Sequence, residues 1–210
     1  VYSWISPLGY DWFNGTCYAD LMDQAAMRKF LDDAYESYYK RYSKYYGNDI
    51  VAEFTDEPCS MVRNRIPAGA VPFTDALIDR FKTMWGYDPA DKLHLLFVES
   101  NEAPEFRLHY FRTVNDLFET NFSKQLGDWC DEHGIDLTGH YMCEHGLYDQ
   151  QNWGVKIMPN YRHEGIPGID HPARQIEERI SAKQCQSVVN QYGKKRMLSE
   201  LYGVAGGSLS

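Results

Sequence analysis

The sequence predicts an α/β fold, a partial TIM-type (β/α)8 barrel in which parallel strands alternate with long helices. Three observations predict it. Runs with apolar residues at three- and four-residue steps alternate with short strand-like runs, and strands separated by helices pair in parallel. Acids also stand at or just beyond the ends of the short runs: Glu57, Glu144, Asp170 and Glu200. In a closed barrel those ends converge on the face that carries active sites. An open doubly wound sheet usually shows a glycine-rich phosphate turn after its first strand, and none is present.

The elements follow in order. From Met22 to Tyr42 the apolar positions Met22, Ala26, Phe30, Leu31, Ala34, Tyr38 and Tyr42 read as an amphipathic helix, with Asp20 as its cap and Gly47 as its stop. Ile50, Val51 and Phe54 form a strand that Pro58 closes, because proline cannot donate to a ladder. A loop with Pro67, Gly69 and Pro72 leads to a helix from Thr74 to Trp85, capped by Thr74–Asp75. The longest helix runs from Pro104 to His133, with Leu108, Phe111, Val114, Phe118, Phe122, Leu126 and Trp129 as a buried stripe and Gly134 as its end. Residues 135–141 make the next strand, followed by a loop with Glu144 and His145. Residues 165–170 make another. A helix from Ala173 to Tyr192 ends at Gly193, and residues 197–200 begin a final strand.

The 210 residues suit one domain, 1–210. A complete barrel needs about 250 residues, so the sequence reads as a fragment of a catalytic barrel, truncated at both ends. A net charge of -9 repels phosphate backbones and anionic lipid, which argues against nucleic acid and membrane surfaces as partners. No apolar stretch reaches the roughly 18 residues that span a bilayer. The five cysteines are scattered without C-x-x-C spacing and read as free thiols. Aromatic residues at 15% can stack on sugar rings as well as fill a core.

Glycoside cleavage needs two carboxyl groups, one donating a proton to the leaving oxygen and one attacking the anomeric carbon or activating water. Glu57 and Glu200 fit, each closing a short apolar strand. Counting Glu57 as the end of strand four makes Glu200 the end of strand seven, the positions of the acids in many sugar-cleaving barrels. Asp56, His140, Glu144, Asp170, Trp153 and Tyr202 are candidate substrate contacts. Asp56 can equally cap a turn, Glu144 can be a solvated loop acid, and Asp170 can cap the next helix. Glu53, inside a strand, is expected to pair with a basic neighbour. His140, His145, His163 and His171 fall near the same loops, but His140 to His145 is one residue longer than the H-x-x-E-H zinc motif. Trp4, Tyr10, Trp12, Phe13, Trp153 and Tyr161 are candidate sugar platforms, and Arg63, Arg65 and Arg162 candidate partners of the acids.

Several segments together resemble a known family: Ala19–Asp20–Leu21 opening a helix, Phe54–Thr55–Asp56–Glu57–Pro58, Gly139–His140, Pro167–Gly168–Ile169–Asp170 and Ser199–Glu200–Leu201–Tyr202–Gly203. The run from Tyr18 to Glu200 resembles the catalytic barrel of bacterial α-L-rhamnosidase-type glycoside hydrolases. The resemblance implies inverting removal of a terminal rhamnose-like sugar from an oligosaccharide or polysaccharide, with Glu57 as acid and Glu200 as base. It implies a periplasmic, cell-surface or secreted parent protein. It also brings in calcium as the one cofactor to test, with Asp56, Glu144 and Glu164 as candidate ligands and no assigned metal set. Asp56 stands where retaining barrel hydrolases usually carry Asn before the strand-four acid, which weakens a retaining β-galactosidase-like assignment and keeps it as the alternative. A noncatalytic carbohydrate-binding barrel is the alternative from another class, and a metal-dependent hydrolase the weakest.

Overall fold

Four strands, β1 (Ala52–Asp56), β2 (Asp136–His140), β3 (Ile166–His171) and β4 (Leu198–Leu201), form one parallel sheet in chain order. They are seen in a computed structural model that describes residues 11–62, 69–153, 156–171, 180–201 and 203. Among the described residues β1 and β4 are the sheet edges. The architecture among the described residues is thus a four-stranded parallel α/β sheet, consistent with a partial barrel. Phe54 on β1 and Leu201 on β4 are exposed.

The strands approach closely because glycine stands at their contacts. A Cβ on Gly139 would lie 2.1 Å from the Thr55 carbonyl oxygen, and one on Gly168 would lie 2.2 Å from the Gly139 carbonyl oxygen. Backbone on the neighbouring strand leaves no room for a methyl group at either position.

Helix α5 (Gln125–Glu132) packs on β2 and α8 (Ile180–Tyr192) on β3. The first predicted helix is a rod of α1 (Gln24–Phe30), a π segment (Leu31–Tyr35) and α2 (Glu36–Tyr42). Its cap is Asp23, which accepts the Ala26 N–H at 2.6 Å, while Asp20 takes the Met22 N–H in the preceding turn. Its buried stripe is also rotated from the expected one: Met27, Leu31 and Tyr35 are buried, whereas Phe30, Tyr38 and Tyr42 are exposed. The tyrosines carry a polar tip and tolerate the rim; methionine and leucine do not.

Helix α3 (Leu77–Trp85) begins without a side-chain cap, since Thr74 is buried and Ala76 takes the cap position; Gly86 ends it in the left-handed region at φ 75°. The longest predicted helix comprises α4 (Ala103–Phe118), a π segment (Glu119–Lys124) and α5. Its stripe is buried except for exposed Leu108 and partly buried Phe111. The loop after β2 holds two short helices that the sequence did not announce, α6 (Leu147–Asn152) and α7 (Ile157–Tyr161). The predicted opening of the last helix, with Ile176, lies outside the described residues.

The core between helices and sheet is aromatic, with Phe81, Phe106, Tyr110, Phe118, Tyr141 and Tyr161 nearly inaccessible. Cys59, Cys130 and Cys185 are buried free thiols, Cys143 is half-buried and Cys17 exposed. Glu53 accepts the Tyr46 hydroxyl at 2.9 Å, and among the described residues it pairs with no base. No helix among the described residues is long and apolar enough to cross a membrane.

Candidate active site

Alternation along β1 puts Phe54 and Asp56 on one face, and the register sets Asp56 beside His140 on β2. His140 is buried, and its Nε2 lies 3.3 Å from Asp56 Oδ1 and 3.1 Å from Glu200 Oε2. One imidazole therefore bridges carboxylates from the two edge strands. With two acceptors at Nε2, the proton belongs on that nitrogen; Nδ1 has no hydrogen-bond partner among the described residues. The Phe54 ring meets the imidazole edge-on, with centroids 5.7 Å apart. The sequence marks Phe54 only as a strand residue, although its two-residue offset from Asp56 is the signal that places it at the site.

Asp170 on β3 pairs in register with Glu200 on β4. Donor atoms of Glu57, His140 and Asp170 all lie within 4.8 Å of one another. Strand alternation alone would turn Glu57 to the helix side, away from Asp56. Its φ of 47° lies in the left-handed region, which costs a residue with a Cβ about 1–2 kcal/mol. That bend brings the Glu57 carboxyl back to His140 and Asp170, so the strain sits where the geometry needs it.

The electrostatics follow from this crowding. Partial burial is the main reason the Glu57 carboxyl titrates above its ordinary range; Asp56, Asp170 and Glu200 push it the same way, and His140 opposes them. Asp170 is raised chiefly by burial as well. Its Oδ1 is buried without a hydrogen-bond partner among the described residues. Four carboxyls around one imidazole at the C-terminal ends of parallel strands can donate a proton, accept one and hold hydroxyls.

Glu144 belongs to a different layer from the one expected. It is buried, and burial pushes its carboxyl up to about 7. Its Oε2 accepts the Tyr161 hydroxyl at 2.7 Å and its Oε1 the Asp170 N–H at 2.6 Å. With both oxygens taken by protein donors and 2% exposure, Glu144 is no solvated loop acid. Tyr161 is fully buried beside it and is not a platform. Glu164 is also fully buried, with Tyr141 and the Gly168 backbone as its polar neighbours.

The other histidines do not join the site. His163 lies 3.0 Å from Glu119, His171 bonds Ser181 at 3.1 Å, and His145 lies 4.0 Å from Asp149. Arg162 pairs with Glu119. Trp153 packs partly buried against the core at the end of α6, and Phe13 packs against Tyr18. Tyr202, Trp4, Tyr10, Arg63 and Arg65, and the side chain of Trp12, lie outside the described residues.

No family model matches the sequence, and no curated protein matches it. Among solved structures the fold is similar to part of the rhamnosidase from Novosphingobium sp. PP1Y, with a TM-score of 0.69 and 20% sequence identity over 88% of this chain. The chain spans 17% of that protein's length. At this identity the likeness establishes a shared α/β fold.

Proposed function

We propose that this chain carries the acid-bearing face of a glycoside hydrolase that removes a terminal rhamnose-like sugar with inversion. The supporting observation is the convergence of Glu57, His140 and Asp170, with Glu200 bonded to the same imidazole. Glu57, held above the ordinary carboxylate range, keeps a proton for the glycosidic oxygen. Glu200, half-exposed and oriented by His140, takes the proton from a water that attacks the opposite face of the sugar. Asp56 and Asp170 accept hydrogen bonds from sugar hydroxyls. The substrate is an oligosaccharide or polysaccharide met by a secreted or periplasmic bacterial parent.

Calcium is held through about six to eight oxygens. Asp56, Glu57, Asp170 and Glu200 can supply carboxylate oxygens to one cleft, and the unpartnered Asp170 Oδ1 is a ready acceptor, so the residues fit such an ion. Glu144 and Glu164 fall outside the group whose donor atoms converge, and both Glu144 oxygens accept protein hydrogen bonds. Bound there, calcium would polarise and hold sugar hydroxyls. The His140 nitrogen suits a transition ion instead.

The test uses the full-length enzyme and an aryl α-L-rhamnoside. Glu57→Gln and Glu200→Gln should each lower kcat by about 10²–10⁴-fold, and NMR of the first sugar released should show the inverted anomer. A retained anomer would shift the assignment to the β-galactosidase-like mechanism. Saccharide binding with no sugar released would leave only a carbohydrate-binding barrel.

A further inference from the structure

Pairing between β2 and β3 runs through Thr138↔Ile166 and Gly139↔Pro167 and goes no further. Three residues beyond Pro167, the Asp170 N–H has no β2 strand to bond. A buried N–H without an acceptor costs about 1–3 kcal/mol. The acceptor is the Glu144 side chain, whose Oε1 takes the Asp170 N–H at 2.6 Å. Glu144 is 2% exposed, and its other contacts tie it to the surrounding elements. Its Oε2 accepts the Tyr161 hydroxyl from α7 at 2.7 Å and the Tyr141 N–H at 3.5 Å. Its carbonyl accepts the Gln150 amide from α6 at 2.7 Å, and Gln150 also donates to Gln184 on α8 at 2.8 Å.

We propose that Glu144 is a positioning residue: its carboxylate stands in for the missing ladder acceptor at Asp170 and fixes the Asp170 carboxyl against Glu57 and His140. Through the Asp170↔Glu200 pair it also sets the Glu200 carboxyl. The assignment rests on the hydrolase reading of the cleft for its kinetic consequence, but its structural content stands apart from it. Glu144 never touches substrate. It decides where two groups that face substrate lie.

Glu144→Leu in the full-length enzyme removes the acceptor at nearly constant volume. Hydrogen–deuterium exchange, read by mass spectrometry with residue-level fragmentation of the β3 peptide, should show the Asp170 amide exchanging at least about tenfold faster. On an aryl α-L-rhamnoside kcat should fall about 100-fold, the loss expected of a small misplacement of reacting groups, with KM changed far less. Glu144→Gln keeps an acceptor oxygen for the Asp170 N–H and should restore kcat to within about tenfold of the parent. Tyr161→Phe removes a neighbour of Glu144 without touching the Asp170 contact and should leave kcat unchanged. Where Glu144→Leu fails to fold, Glu144→Asp, one methylene short of Asp170, serves in its place with the same expected loss. Parental exchange at Asp170 in Glu144→Leu or Glu144→Asp overturns the proposal, as does a Tyr161→Phe loss equal to that of Glu144→Leu. An unaltered protein that hydrolyses no glycoside removes the hydrolase reading, while the exchange result still decides the role of Glu144.

Discussion

His140 and Glu200 lie 60 residues apart in the chain and 3.1 Å apart in space, with Asp56 3.3 Å from the same Nε2. A single N–H shared by two carboxylates fixes both, and His140 opposes the upward push of burial on Glu57. Glutamine in place of His140 can reach one carboxylate but carries no charge. In His140→Gln, kcat should fall about 100-fold through misplacement of Glu200. The alkaline limb of the pH–rate profile, which reports loss of the Glu57 proton, should move to higher pH because the opposing charge is gone. A limb that stays put or moves to lower pH would separate His140 from Glu57.

The two carboxyls of the proposed reaction are told apart by leaving group. An acid is needed only where the departing oxygen needs a proton, so Glu57→Gln should lose least on an aryl glycoside with a strongly acidic phenol and most on an alkyl glycoside. Glu200→Gln should lose about equally on both, since water activation does not depend on the leaving group. Equal dependence in the two variants would reverse or dissolve the assignment.

The Gly168 contact makes a stability prediction. A Cβ there would lie 2.2 Å from the Gly139 carbonyl oxygen and 3.2 Å from Leu198 Cδ2. Backbone cannot swing aside as a flexible side chain can, so Gly168→Ala should destabilise by about 1–3 kcal/mol in urea unfolding. Gly193→Ala, at φ 63° with open space around the added methyl, should cost no more than about 1–2 kcal/mol of backbone strain. A neutral Gly168→Ala would mean that β2 and β3 can separate, and His140 and Asp170 with them.

The sheet and the strand-end acids were legible because both depend on short-range pattern. Apolar runs closed by Glu57, Asp170 and Glu200 mark strands whatever surrounds them. What was not legible depended on which neighbour each residue meets. Tyr38 and Tyr42 share a helical spacing with Leu31, but only packing decides which stripe turns inward. Glu144 and Glu200 look alike in sequence; one is enclosed by Tyr161 and the Asp170 amide, the other stands at an exposed edge. The left-handed bend at Glu57 has no residue-type signal, since glycine or asparagine is the usual occupant.

Glu164 gives the chain a pH-dependent stability independent of the cleft. It is 0% exposed, and burial raises its pKa well above the usual carboxylate range, with Tyr141 and the Gly168 backbone opposing that push. The folded chain therefore binds this proton more tightly than the unfolded chain does. The stability it contributes is fully present below the unfolded value near pH 4.3 and is lost as pH rises toward the raised folded value. Urea unfolding should show the protein less stable at pH 8 than at pH 5. Glu164→Gln, neutral at both, should match the parent near pH 5 and exceed it at pH 8, so the difference between the two proteins grows with pH. Burial of Glu144 acts in the same direction, and its charge raises Glu164 further, so that difference includes the repulsion between the two carboxyls. Parallel pH profiles for the two proteins would show that Glu164 is ionised or solvated in the folded chain.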